Sequence, residues 1–155
     1  MQKGFATLEI IFIVLIIAGL ASVAVPNATR ILDRVALDYE TKKIYTDLRA
    51  LQSFDRMTEM KDSHFNTAIK TQLKFNVERN RYTIMKNETS QILTEHYFSN
   101  GVTVTKNWEF KFDDMGKITN KSGAAISDSM EIKSRYGSTY IRIDSVGRFR
   151  GSRTK

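Results

Sequence analysis

Residues 10–25 read IIFIVLIIAGLASVAV, sixteen positions without a charge. Extending back through Phe5–Glu9 gives a 21-residue segment whose only charge is Glu9. As a helix it spans roughly 31 Å at about 1.5 Å per residue, close to the ~30 Å hydrocarbon core of a bilayer. Every face is apolar, so this helix belongs in lipid or inside a larger assembly. A cleaved secretory signal would offer Met1-Gln2-Lys3 as its basic start and Ser22-Val23-Ala24 as its small-residue site. A plain membrane anchor needs only the apolar run. Neither reading gives Glu9 a purpose. A carboxylate at membrane depth costs about 2.5–3.5 kcal/mol at a helix centre, less near an end, unless a positive partner meets it.

Beyond the apolar run, residues 27–60 contain no Gly or Pro. Leu37, Ile44, Leu48 and Leu51 recur at helical spacing. Arg30, Asp33, Arg34, Asp38, Glu40, Lys42, Lys43, Asp47, Arg49, Asp55 and Arg56 fill the other faces. This predicts an amphipathic continuation of the helix over 27–61. Pro26 lies between the halves. It lacks an amide hydrogen and clashes with the carbonyl four residues earlier, so a kink rather than a stop is expected there. The stretch 62–67 breaks the helical pattern. From residue 71 the period becomes two: Leu73, Phe75 and Val77, then Tyr82 and Ile84 after a Glu-Arg-Asn-Arg turn. Val102 and Val104, Trp108, Phe110 and Phe112, Met130 and Ile132, and Ile141 and Ile143 follow. Asp113-Asp114-Met115-Gly116 is a turn signal. Six or seven short strands suggest an antiparallel sheet or sandwich. The fold class is therefore α+β: one long helix, then a β-rich head over 62–155.

The chain has 155 residues and a net charge of +7, with no cysteine. Disulfides, thiolate metal sites and a Cys nucleophile are thereby excluded. The charge is unevenly spread. The first 26 residues carry only Lys3 and Glu9, whereas residues 133–155 carry seven cations against Asp144, a local balance of +6. No catalytic motif is present: no HExxH, GxSxG, GxGxxG or phosphate loop. His64 and His96 are the only histidines and read as surface residues, and Asp113-Asp114 as turn formers. No catalytic residue, metal ligand or cofactor is expected, and the chain is read as a non-enzyme. The aromatics of Lys74-Phe75-Asn76-Val77 and Trp108-Glu109-Phe110-Lys111-Phe112 alternate with polar residues, which favours a core face over a nucleic-acid stacking surface.

Lys3-Gly4-Phe5-Ala6-Thr7-Leu8-Glu9, the apolar run and Pro26 together resemble the N-terminus of type IV prepilins and type II secretion pseudopilins. Ala6-Thr7-Leu8 stands where Thr-Leu-Ile is commoner in that family. The resemblance implies a leader of residues 1–4 and a membrane and filament helix over 5–26. A prepilin peptidase would cut after Gly4 and methylate the new N-terminus, Phe5. The implied location is the bacterial cytoplasmic membrane, single-pass, with the head outside, and then a pilus or pseudopilus. Implied partners are other pilins or pseudopilins, an assembly platform and membrane lipid. Cleavage would create a positive amine at Phe5 that can meet Glu9 of a neighbouring copy, and two buried charges that meet cost far less than two left alone.

The head also resembles the GspH/FimT class of minor pilins and pseudopilins. The matching pieces are residues 101–104, 110–116 and 141–148. The Gly147-Arg148-Phe149-Arg150 string resembles a tail associated in that class with DNA binding. It makes Arg148, Arg150, Arg153 and Lys155 candidate DNA contacts. Arginines grip phosphate with paired donors and release its counterions. The polar, Gly-containing segment after Val146 is expected to be mobile near its end.

Overall fold

The computed structural model describes residues 3–61, 71–86, 89–112, 117–119, 127–144 and 146–154. A single helix, α1 (Lys3–Lys61), leads into nine strands among these residues. They are β1 (Thr71–Asn76), β2 (Arg81–Lys86), β3 (Ile92–Tyr97), β4 (Thr103–Val104), β5 (Trp108–Phe112), β6 (Ile118–Thr119), β7 (Asp128–Ser134), β8 (Gly137–Ile143) and β9 (Phe149–Thr154). The strands form two sheets with orders β3-β2-β1-β5-β6 and β4-β7-β8-β9. Every pairing is antiparallel. The α+β expectation holds, with the helix packed against two antiparallel sheets.

α1 has 59 residues, close to 90 Å at about 1.5 Å per residue. The helix runs through Pro26 without interruption. Ser22 Oγ donates to the Gly19 carbonyl at 2.7 Å and Thr29 Oγ1 to the Pro26 carbonyl at 2.9 Å. The first hydroxyl therefore needs no water although it lies within the apolar run. Residues 7–32 are exposed throughout. From Asp33 onward one face enters the head: Leu37, Ile44, Leu48 and Leu51 are all buried. The predicted stripe is the packed one.

The two sheets and the helix share one core. Alternation is obeyed on β1 and β5, where Leu73 stands opposite Phe110 and Phe75 opposite Trp108, all buried. Phe75 is the hub of the aromatic packing. Its ring lies 5.5 Å from Tyr82, 6.0 Å from Trp108 and 6.4 Å from Phe98. The core reading of these aromatics is correct. On the second sheet Met130, Ile132, Ile141 and Ile143 point inward and are fully enclosed.

Turns follow local chemistry. Val77–Asn80 joins β1 to β2, and Asn80 takes a left-handed φ of 45°, a conformation Asn tolerates better than most residues. Its Nδ2 then donates to the Val102 carbonyl at 2.7 Å, tying the hairpin to the neighbouring loop. The Asp113–Gly116 turn expected from the sequence lies outside the described residues, as does His64.

Candidate assembly helix and basic strand

Three features of the chain carry functional weight. The first is the bare part of α1. The helix is long and apolar enough to cross a membrane, with a mean hydropathy of 2.8 in its most apolar window and none of that window buried. Leu8, Ile10 to Ile17, Leu20, Val23 and Val25 are each half exposed or more. Gly4 and Phe5 lie in the first turns of the helix, and Glu9 is exposed on it one turn further on. Exposed apolar side chains continue past Pro26 at Ile31, Leu32, Val35 and Tyr39, on the side of the helix turned away from the head.

The second feature was not legible as a site in the sequence. Glu40, placed by the sequence reading among the solvated charges, is 1% exposed. Its Oε2 lies 2.7 Å from His96 Nε2 on β3, and its Oε1 accepts from the Ser99 amide at 2.8 Å and from the Ser99 hydroxyl. His96 is thus a half-buried partner of a helix carboxylate and not a free surface residue. Two turns further on, Asp47 accepts from the Tyr82 hydroxyl and from Lys43 Nζ at 3.0 Å. Tyr82 and His96 are register partners on β2 and β3. The two carboxylates of α1 therefore clamp two adjacent strands. Burial, followed by the hydrogen bond to Asp47, pushes the Tyr82 hydroxyl far above its ordinary pKa, so it stays a donor. A signal did exist. Glu40 lies three residues after Leu37 and four before Ile44, on the packed stripe itself.

The third feature is the basic C-terminal segment, where the structure corrects the expectation of a mobile tail. Residues 149–154 form β9, which pairs with β8 from Ile143↔Phe149 to Ser138↔Thr154. Its glycine has a packing reason. A Cβ on Gly151 would sit 2.7 Å from the Tyr45 hydroxyl, so glycine lets α1 approach the strand. Phe149 packs edge-on against Tyr45 and Phe112, at 6.4 and 6.2 Å between centroids. An anchored edge strand replaces the loose tail: Phe149 packs inward and Arg150 stands exposed on the outer face.

The candidate DNA contacts are consequently divided. Arg148 is committed to Asp144. Its Nε donates to Oδ2 at 2.8 Å and its amide to Oδ1 at 2.8 Å, and Gly147, at φ 81°, closes the turn. Arg150 stands on the outer face directly opposite Arg142, which stands opposite Ser129. Both arginines are exposed, and among the described residues neither has an acidic partner. Together with Ser129, Tyr140, Gly151 and Ser152 they line a concavity of about 440 Å³. Like charges directly opposite on neighbouring strands repel, and a bound anion would relieve that repulsion. The sequence reading passed over Arg142, because its match to Arg150 depends on register. Arg153 occupies β9 opposite Thr139, and Lys155 lies outside the described residues.

The hydrogen bond from the Arg148 amide, aided by its guanidinium and the Val146 amide, holds the Asp144 carboxyl below the usual carboxylate range despite partial desolvation. A depressed folded pKa contributes stability above the ordinary Asp value of about 3.9, and that contribution is lost as pH falls below it. An NMR titration of the Asp144 side chain is expected to give a midpoint below the free-residue value, and Arg148→Gln should raise it. A wild-type midpoint at or above the ordinary value would contradict the tether.

Among the described residues, no group of three or more His, Cys, Asp or Glu side chains gathers to hold a metal. A long N-terminal helix, bare and apolar at one end and packed at the other on antiparallel sheets, is consistent with a pilin-like assembly protein in general. No protein-family model, curated protein or solved structure matches the chain.

Proposed function

We propose that the chain is a subunit of a type IV pilus-like or type II secretion filament, a minor pilin or pseudopilin with a GspH/FimT-like head. In this reading a prepilin peptidase cuts after Gly4 and methylates Phe5. The subunit waits in the bacterial cytoplasmic membrane with its head outside. An assembly platform then draws it into a filament with other pilins, and it performs no catalysis of its own. The observation that carries the reading is the division of labour along α1. Residues 7–32 are exposed and overwhelmingly apolar, while one face of the helix from Leu37 to Leu51 is built into the core of the head. A soluble protein rarely leaves so large an apolar surface uncovered, and a filament of stacked helices, like a bilayer, would cover it.

The test is mass spectrometry of the mature chain from cells that contain a prepilin peptidase. A start at methylated Phe5 is the expected result, and a start at Val25 would replace the reading with a cleaved secretory signal. Within the same reading, Glu9 attracts the new amine of a neighbouring Phe5. Glu9→Gln is expected to reduce incorporation into filaments at least tenfold, about 1.4 kcal/mol of lost pairing, while membrane insertion is kept. Filaments sheared from cells and quantified against the membrane pool measure this. Unchanged incorporation would remove the role assigned to Glu9.

A second reading, DNA binding for uptake, is favoured by the Arg142–Arg150 pair. Phosphate contacts by two arginines add about 0.9 each to the salt dependence of binding to duplex DNA. Binding by the full chain in detergent, measured over a range of salt, is expected to lose a slope of about 2 in the Arg142→Gln, Arg150→Gln double variant. Arg148→Gln should change it little, because that side chain is engaged by Asp144. A double variant that binds like the parent would eliminate this reading.

A further inference from the structure

We propose that the helix-side end of the head is a docking surface for the phosphates of an anionic lipid bilayer, with Arg30, Arg34 and Arg135 as its contacts. The proposal rests on the membrane-anchored reading of α1 and specifies how the head meets that membrane.

The axial position of the surface follows from three contacts. Leu37 lies beside Gly137, where β8 begins, Tyr45 beside Gly151 and Gln52 beside the Gly147 carbonyl. β8 therefore runs away from the apolar end of α1, and β9 runs back toward it. The β7–β8 turn, Arg135-Tyr136, is thus the part of the second sheet that lies nearest the anchor. It touches the helix directly, with the Arg30 guanidinium 5.6 Å from the centroid of the Tyr136 ring.

The distance matches the lipid. Arg30 is five residues beyond Val25, the last residue of the apolar run, which is about 7.5 Å of helix. The headgroup layer on each side of a ~30 Å core is roughly 5–7 Å thick. Helical side chains lean toward the N-terminus, a direction in which arms as long as those of Arg30 and Arg34 can reach that layer. Arg30, Arg34, Arg135 and Tyr136 are all exposed, and tyrosine at this depth suits an interface.

The charge at this end is positive after pairing. Lys133 is matched by Glu131 at 3.2 Å, and Arg30, Arg34 and Arg135 outnumber Asp33 and Asp38, which leaves a balance of 3 − 2 = +1. The three arginines have no acidic partner among the described residues. The backbone of β9 carries residues 153 and 154 toward the same end, since Thr154 pairs with Ser138. The Arg142–Arg150 row lies further from the anchor along β8, so the two basic surfaces are separate.

The experiment places the full-length chain in phosphatidylcholine nanodiscs and in discs that also contain phosphatidylglycerol. Amide exchange is followed at Arg135–Gly137 and over residues 7–25. Each cation near an anionic surface is worth about fivefold in occupancy, so three give roughly a hundredfold. Exchange at the turn is expected to slow by at least about tenfold in the anionic discs at low salt. The slowing should vanish in the Arg30→Gln, Arg34→Gln, Arg135→Gln triple variant and persist in the corresponding triple lysine variant. Equal exchange in both discs, or unchanged slowing in the glutamine variant, overturns the proposal. Slowing in neutral discs with added inorganic phosphate would overturn the lipid assignment in favour of a soluble anion. Protection of residues 7–25 in both discs confirms the anchor independently. Rapid exchange there defeats the anchored reading and the docking surface together.

Discussion

Glu40→Ala is expected to destabilise the head by about 3–5 kcal/mol, the cost of removing an enclosed carboxylate and stranding the groups bonded to it. The carboxylate is almost fully enclosed and takes contacts from His96 and from both the amide and the hydroxyl of Ser99. Truncation leaves those donors facing a void, and the loop after β3 loses its attachment to the helix. Glu40→Gln keeps the shape and one acceptor, so it should cost less than half as much. Urea unfolding of the detergent-solubilised chain, followed through Trp108 fluorescence, measures both. A shift below about 1 kcal/mol for Glu40→Ala would mean that the clamp contributes no more than an exposed pair.

Phe75→Ala is the second large effect, also about 3–5 kcal/mol. Its mechanism differs. No polar group is stranded, but a ring with no solvent exposure disappears from between Tyr82, Phe98 and Trp108. The rings around it belong to β2, β5 and the loop after β3, held in place by backbone pairing, so the cavity cannot collapse fully. Phe75→Leu should recover a large part of the loss. A Phe75→Ala protein that unfolds at the parental urea midpoint would show that the aromatic cluster is not tightly packed.

The sequence made the periodic parts of this fold legible. Leu37, Ile44, Leu48 and Leu51 announce their buried face by spacing alone, and Leu73–Phe75 and Trp108–Phe112 do so by alternation. β3 was missed because Ile92–Tyr97 is an exposed edge strand with no apolar alternation to read. β9 was missed because its glycine and arginines resemble a solvated tail. Only the proximity of Tyr45 explains Gly151. The candidate sites divide in the same way. Gly4, Phe5, Glu9 and Pro26 form a contiguous pattern that can be read in one dimension. Glu40 with His96, 56 positions apart, and Arg142 with Arg150 across a turn become pairs only when strands are aligned. Long-range polar pairing leaves no periodic trace, so physical reasoning on one sequence cannot supply it.

The unbroken run of α1 from the apolar segment into the head has a mechanical consequence. A pull on the anchor along the helix axis has no linker to stretch and reaches the head as shear. The contacts at Leu37, Glu40, Ile44, Asp47, Leu48 and Gln52 are spaced along that axis and are strained side by side, so force is shared instead of opening them one after another. A subunit dragged out of a bilayer, or held in a fibre under tension, would carry its head as a rigid extension of the rod.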